Sequence, residues 1–180
     1  MTLANKITIF RIILIPIFLA CMLIDFQYNQ YVGAIVFIIA ASTDALDGYI
    51  ARKRNEITNF GKFFDPLADK LLTMAALIIL VEMGKIPALA VIIILTREFM
   101  ITGLRTLAAS EGVIIAASWW GKFKTVTQMI AIILILIDNF PFSKINLPLD
   151  LIMLYISVII TIISGIDYMI KGRHLFYEKE

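Results

Sequence analysis

Four aspartates carry the most chemically telling spacing in this chain: Asp44 and Asp47 are three residues apart, and Asp65 and Asp69 are four apart. On a helix each pair projects from one face, with one turn between its members. Two such helices side by side bring four carboxylates into one space, where they repel unless cations compensate. Hard oxygen donors of this kind suit Mg²⁺ or Mn²⁺. Magnesium held by a few carboxylates keeps open positions that phosphate oxygens fill, and Arg52, Lys53, Arg54, Lys62 and Lys70 stand nearby to complement the same anion. Phosphoryl transfer is therefore the expected chemistry. Gly48, Ala51 and Gly61 present so little side chain that a flat ligand can approach the backbone closely. Two plainer readings compete: pairing of the aspartates with neighbouring basic residues in a solvated loop, and a proton or ion relay.

The elements that must position these residues are apolar helices. The 180 residues are 61% hydrophobic, with a mean hydropathy of +0.92, outside the range of soluble domains. A spanning helix needs about 20 apolar residues, and apolar segments fall at approximately 6–25, 31–53, 66–83, 87–109, 121–138 and 149–170. Pro66 lacks an amide hydrogen and suits a first helical turn, so the third span is expected to start at about Asp65. The expected fold class is an all-α integral membrane protein of six transmembrane helices, forming a single domain over residues 1–180 embedded in the lipid bilayer. The one cysteine, Cys21, excludes an intrachain disulfide. No nucleic-acid partner is expected.

Charge placement orients the bundle. Of sixteen Lys and Arg, only Lys85 and Lys144 fall in the loops after spans three and five, and the loop after span one has none. By the positive-inside rule the remaining connections, and both termini, face the cytoplasm. The four aspartates, together with Arg97, Glu98, Arg105, Lys122 and Lys124, then lie in the cytoplasmic half. Exposing such charges to lipid costs about 2.5 to 3.5 kcal/mol each, so a polar cavity open to the cytosol is expected. Asn5, Thr8 and Arg11, at three-residue steps, share one side of the first helix. Glu98 lies seven residues before Arg105, placed to orient it, while Arg97 and Glu98 can also pair with each other.

The pattern Asp44-x-x-Asp47-Gly48-x-x-Ala51-Arg52, eight residues, then Gly61-x-x-x-Asp65-x-x-x-Asp69 resembles the signature of the CDP-alcohol phosphotransferases at every defining position. The resemblance implies two divalent cations, Mg²⁺ or Mn²⁺, held by Asp44, Asp47 and Asp65, with Asp69 as general base and additional ligand. It further implies that Arg52 holds the diphosphate of a CDP-linked donor, that Gly48, Ala51 and Gly61 admit the cytidine, and that Asn5 and Thr8 contact the nucleotide phosphates. "TREFMITGLR" and "GKFKTVTQ" resemble the bacterial branch that makes phosphatidylglycerophosphate, implying a multi-pass protein of the bacterial plasma membrane that takes CDP-diacylglycerol and glycerol 3-phosphate, and a homodimer. A phosphorylated acceptor needs cations, and Arg97, Arg105, Lys122 and Lys124 are the candidates. The alternatives are a family member with inositol phosphate or serine as acceptor and, from another class, an ion or proton transporter.

Overall fold

The computed structural model describes the backbone of residues 3–54, 59–113, 116 and 118–173, and the side chains of 5–43, 64, 67–113, 116 and 118–173. Helices are α1 (Leu3–Leu23), α2 (Asn29–Arg54), α3 (Asn59–Glu82), α4 (Ala88–Ser110), α5 (Trp119–Leu136) and α6 (Leu149–Gly172), with a 3-10 turn at Phe142–Ile145. No strand occurs among the described residues. By length and composition α1 from Asn5 to Leu23 and α6 from Leu149 to Gly172 are apolar enough to cross a membrane.

Local chemistry sets the helix ends. Gly84 and Gly112 take left-handed φ values of 70° and 72°, which glycine adopts without steric penalty. The chain then folds back on the helix it has left, Lys85 N donating to Leu80 O at 2.9 Å and Val113 N to Ala108 O at 2.8 Å. Ser118 caps α5 by accepting from Gly121 N at 3.1 Å. The start of α3 departs from expectation: it lies at Asn59, six residues before Asp65, so Pro66 is inside the helix. Hydropathy marks the apolar part of a helix, and the polar turns from Asn59 onward carry no such mark. Proline removes one hydrogen bond from a helix and need not end it.

Packing joins α1 to α2 and α3, and α6 to α4 and α5, while α2 and α3 also touch α5. Phe18, Phe37, Leu72, Leu80, Ile132, Leu136 and Leu154 are fully buried at these contacts, and the Phe18 and Phe37 rings meet at 5.8 Å. Polar and apolar groups are distributed as in a protein solvated by hydrocarbon. Arg11 is 0% exposed, whereas Ile159 on α6 is 57% exposed and Ile78 on α3 is 54% exposed. Water as solvent drives the opposite arrangement.

Candidate active site

The aspartates lie on two helix ends joined by only four residues. Asp44 stands ten residues before the end of α2 and Asp69 ten after the start of α3, while Asp47 and Asp65 are seven and six from those ends. At 1.5 Å per residue, Asp44 and Asp69 each lie about 15 Å along their helices from the ends that the connection joins, and Asp47 and Asp65 about 10 Å. The side chains of Asp44, Asp47, Gly48, Ala51, Arg52, Gly61 and Asp65 lie outside the described residues. Among the described residues no group of three or more acidic, His or Cys side chains converges. The matched depths and the all-oxygen donor set fit hard divalent cations.

Asp69 is described and half-buried. Its carbonyl accepts from Thr73 Oγ1 at 3.1 Å, and its carboxylate is within Coulombic reach of the Lys124 ammonium. On the α1 side, Asn5, Thr8 and Arg11 are all buried, as a shared face requires. Arg11 Nε donates to Thr43 Oγ1 at 3.3 Å, and Thr43 Oγ1 donates in turn to Ala40 O at 2.6 Å. The expected nucleotide-facing side of α1 therefore packs on α2 one residue before Asp44.

Beside Asp69, α3, α4, α5 and α6 enclose a polar pocket of about 460 Å³ lined by Lys70, Arg97, Glu98, Arg105, Lys122 and Tyr168, among others. Four cations and one carboxylate make it a site for an anion. Three of the four expected acceptor cations, Arg97, Arg105 and Lys122, meet here. Lys124 does not line the pocket. It is buried, with its ammonium 2.5 Å from Glu98 Oε1.

Glu98 also receives Arg97 Nη1 at 2.9 Å. The expectation that Glu98 orients Arg105 is thus corrected. Along one helix the stripe from 98 to 105 is a neighbourhood, but α5 delivers an ammonium directly to the carboxylate, and a direct charge-assisted bond outweighs a contact two turns away. Among the described residues Arg105 has no ion-pair or hydrogen-bond partner. It is exposed at the pocket wall.

Several participants escape sequence reasoning. Arg97 donates from Nη2 to Ser164 Oγ at 2.5 Å, and its guanidinium carbon stands 5.3 Å from the Tyr168 ring centroid. The Tyr168 hydroxyl accepts from Ser118 N at 3.0 Å, tying α6 to the start of α5. Lys70 Nζ donates to Thr102 Oγ1, bridging α3 and α4. The one available signal is the run of buried Ser157, Thr161, Ser164 and Tyr168, at steps of four, three and four along an otherwise apolar α6. Among the described residues, Arg97 keeps one buried donor without a partner, its Nε–H. An anion in the pocket would satisfy it.

Comparison with known proteins gives this arrangement a family. The family model described as CDP-alcohol phosphatidyltransferase matches residues 1–163. A relative from Bacillus subtilis is 48% identical over 182 aligned residues, covering 94% of this chain and 94% of its own length. One from Haemophilus influenzae is 42% identical, covering 91% and 89%. One from Rickettsia felis is 38% identical, covering 97% of each. All three are named CDP-diacylglycerol–glycerol-3-phosphate 3-phosphatidyltransferase. With the aspartate signature on adjoining helix ends and an anion pocket beside it, the chain belongs to the CDP-alcohol phosphatidyltransferase family.

Proposed function

We propose that the protein transfers the phosphatidyl group of CDP-diacylglycerol to glycerol 3-phosphate, yielding phosphatidylglycerophosphate and CMP in phospholipid biosynthesis. The observation that carries the acceptor choice is the cationic pocket next to Asp69, where, among the described residues, Arg105 has no partner and Arg97 retains an unsatisfied buried Nε–H. An acceptor bearing its own phosphate answers both. Serine, with no net charge, brings a single carboxylate to a pocket of four cations. The names of the relatives point the same way.

Asp44, Asp47, Asp65 and Asp69 would hold two Mg²⁺ or Mn²⁺ ions, which neutralise the donor's diphosphate and the departing CMP. Arg52 binds that diphosphate, Asn5 and Thr8 add contacts from α1, and Gly48, Ala51 and Gly61 leave space for the cytidine. Arg97, Arg105 and Lys122 fix the acceptor phosphate, which brings the primary hydroxyl at C1 to Asp69. Asp69 takes the hydroxyl proton as the oxygen attacks the phosphorus bonded to diacylglycerol. The new O–P bond forms as the diphosphate P–O bond breaks, and CMP leaves with the electron pair. Positioning and electrostatic complementarity supply most of the acceleration.

The surrounding architecture in this reading is one domain over residues 1–180, crossing a bacterial plasma membrane six times. Both termini and the site open to the cytosol, and two copies form a homodimer. The donor's acyl chains stay in the bilayer while its head enters the cavity. Purified protein given CDP-diacylglycerol, Mg²⁺ and, in turn, glycerol 3-phosphate, inositol 1-phosphate and serine tests the acceptor. CMP release with glycerol 3-phosphate alone is expected. Faster release with either competitor would assign the acceptor elsewhere.

A further inference from the structure

Gly121 stands in the first turn of α5, and neither its backbone nor its packing calls for a glycine. Among the described glycines the left-handed φ values belong to Gly84 and Gly112, whereas Gly121 is helical. A Cβ at Gly121 would stand 3.6 Å from its nearest neighbours outside its own turn, which is ordinary van der Waals contact. Alanine would therefore fit, and alanine favours a helix where glycine weakens it.

The atoms around that position are mostly polar. They are Arg97 Nη2 on α4 and the hydroxyl and Cε2 of Tyr168 on α6, each 3.6 Å away. Gly121, Arg97 and Tyr168 all line the cationic pocket, so the position belongs to its wall. Both polar atoms have hydrogens to give. Nη2 carries two and donates one to Ser164 Oγ. The Tyr168 oxygen accepts from Ser118 N at 3.0 Å, which leaves its own O–H able to donate. Among the described residues nothing accepts either remaining hydrogen.

Resting on the function proposed above, we propose that Gly121 and Tyr168 form the seat of one oxygen of the acceptor phosphate, which accepts from the Tyr168 hydroxyl and from Arg97 Nη2. An oxygen beside Gly121 reaches hydrogen-bond distance, about 2.9 Å, by standing less than an ångström nearer to these donors than a Cβ would. With a methyl group in place it is shut out. A phenol and a guanidinium together suit an anionic oxygen. Arg105 and Lys122 serve the other oxygens of the same phosphate. The seat is rigid, because Tyr168 is 3% exposed and its hydroxyl is tied to the start of α5.

The test uses the full chain in detergent as wild type, Gly121→Ala, Tyr168→Phe and the double variant. Calorimetry measures binding of inorganic phosphate, CMP release gives KM for glycerol 3-phosphate and for CDP-diacylglycerol, and unfolding gives the thermal midpoint. Gly121→Ala should weaken phosphate binding and raise acceptor KM by about tenfold or more, with donor KM within about twofold. Its thermal midpoint should equal or exceed that of the wild type. Tyr168→Phe should weaken phosphate binding to a similar degree and also lower the midpoint, since Ser118 N loses its acceptor. The double variant should bind phosphate within about threefold of the weaker single variant, because both changes act on one oxygen, whereas independent effects multiply. Wild-type phosphate affinity and acceptor KM in Gly121→Ala, a lowered midpoint in that variant, or effects that multiply in the double variant would each overturn the assignment. So would a wild type that binds no phosphate. A wild type that binds phosphate with these responses but releases CMP only with another acceptor would instead overturn the functional reading and leave the seat in place.

Discussion

Lys124 on α5 donates to Glu98 on α4 at 2.5 Å, and its side chain is 5% exposed against 21% for the carboxylate. This bond joins the two helices behind the anion pocket, and Arg97 completes a cation–carboxylate–cation triad through the same Glu98 oxygen. The triad separates two roles that a list of basic residues merges. Lys124 holds the wall, whereas Arg105 and Lys122 face the pocket.

Lys124→Met leaves Glu98 with Arg97 alone in a mostly dry environment. Removing one member of a buried pair typically costs about 3 to 5 kcal/mol, and the partial exposure of Glu98 points to the lower end. A clear fall in thermal midpoint in detergent is expected. The double variant Glu98→Gln with Lys124→Met, which removes both charges, should recover most of it. Equal midpoints for the two proteins would show that the pair carries no coupling.

Arg105→Ala and Lys122→Ala should behave differently. Both side chains are exposed, and Lys122 rests 4.7 Å from the Trp119 ring centroid, so neither truncation should shift stability beyond about 0.5 kcal/mol. In the proposed function each removes a charge-assisted contact to phosphate, which is worth about 1.5 to 3 kcal/mol. Glycerol 3-phosphate KM should therefore rise by roughly tenfold or more, with CDP-diacylglycerol KM within about twofold. An unchanged acceptor KM in both variants would remove them from the site.

Asp69→Asn keeps the shape of the side chain and removes its capacity to take a proton. General-base catalysis contributes typically 10² to 10⁴-fold, so CMP release should fall by about that factor at saturating metal. Wild-type protein treated with EDTA should lose activity and regain it on addition of Mg²⁺ or Mn²⁺. Asp44→Asn should raise the metal concentration needed for half-maximal activity. CMP release by Asp69→Asn at the wild-type rate would sink the general-base role.

Particular residues mark where sequence reasoning reaches and where it stops. The aspartate motif is legible because its spacing is a property of single helices: three and four residues make one face whatever surrounds it. Likewise the Asn5, Thr8 and Arg11 side of α1 follows from helical periodicity, and all three are buried. The partner of Glu98 is not legible, because Lys124 is 26 residues away and arrives by helix packing. Ser164 and Tyr168 escape for the same reason, as their use depends on Arg97 crossing from α4. The start of α3 escapes because polar turns carry no hydropathy signal.

Lys85 supplies the evidence for topology. From the turn after α3, its ammonium donates to Gln30 Oε1 at the start of α2 at 2.6 Å and to Asp138 at the end of α5. The connections after α1, α3 and α5 therefore share one end of the bundle, and the helices alternate in direction. Residues Arg54, Asn59, Ser110 and Ser118 belong to the other end, where most Lys and Arg also lie, and the positive-inside rule predicts that end to be the cytoplasmic one. Single-cysteine proteins in a Cys21→Ser background test this in intact cells. Ser143→Cys and Asp25→Cys, both exposed, should react with a membrane-impermeant maleimide from outside. Ser110→Cys, also exposed, should react only after permeabilisation. Labelling of Ser110→Cys in intact cells together with protection of the other two would invert the topology and place the pocket on the outer face.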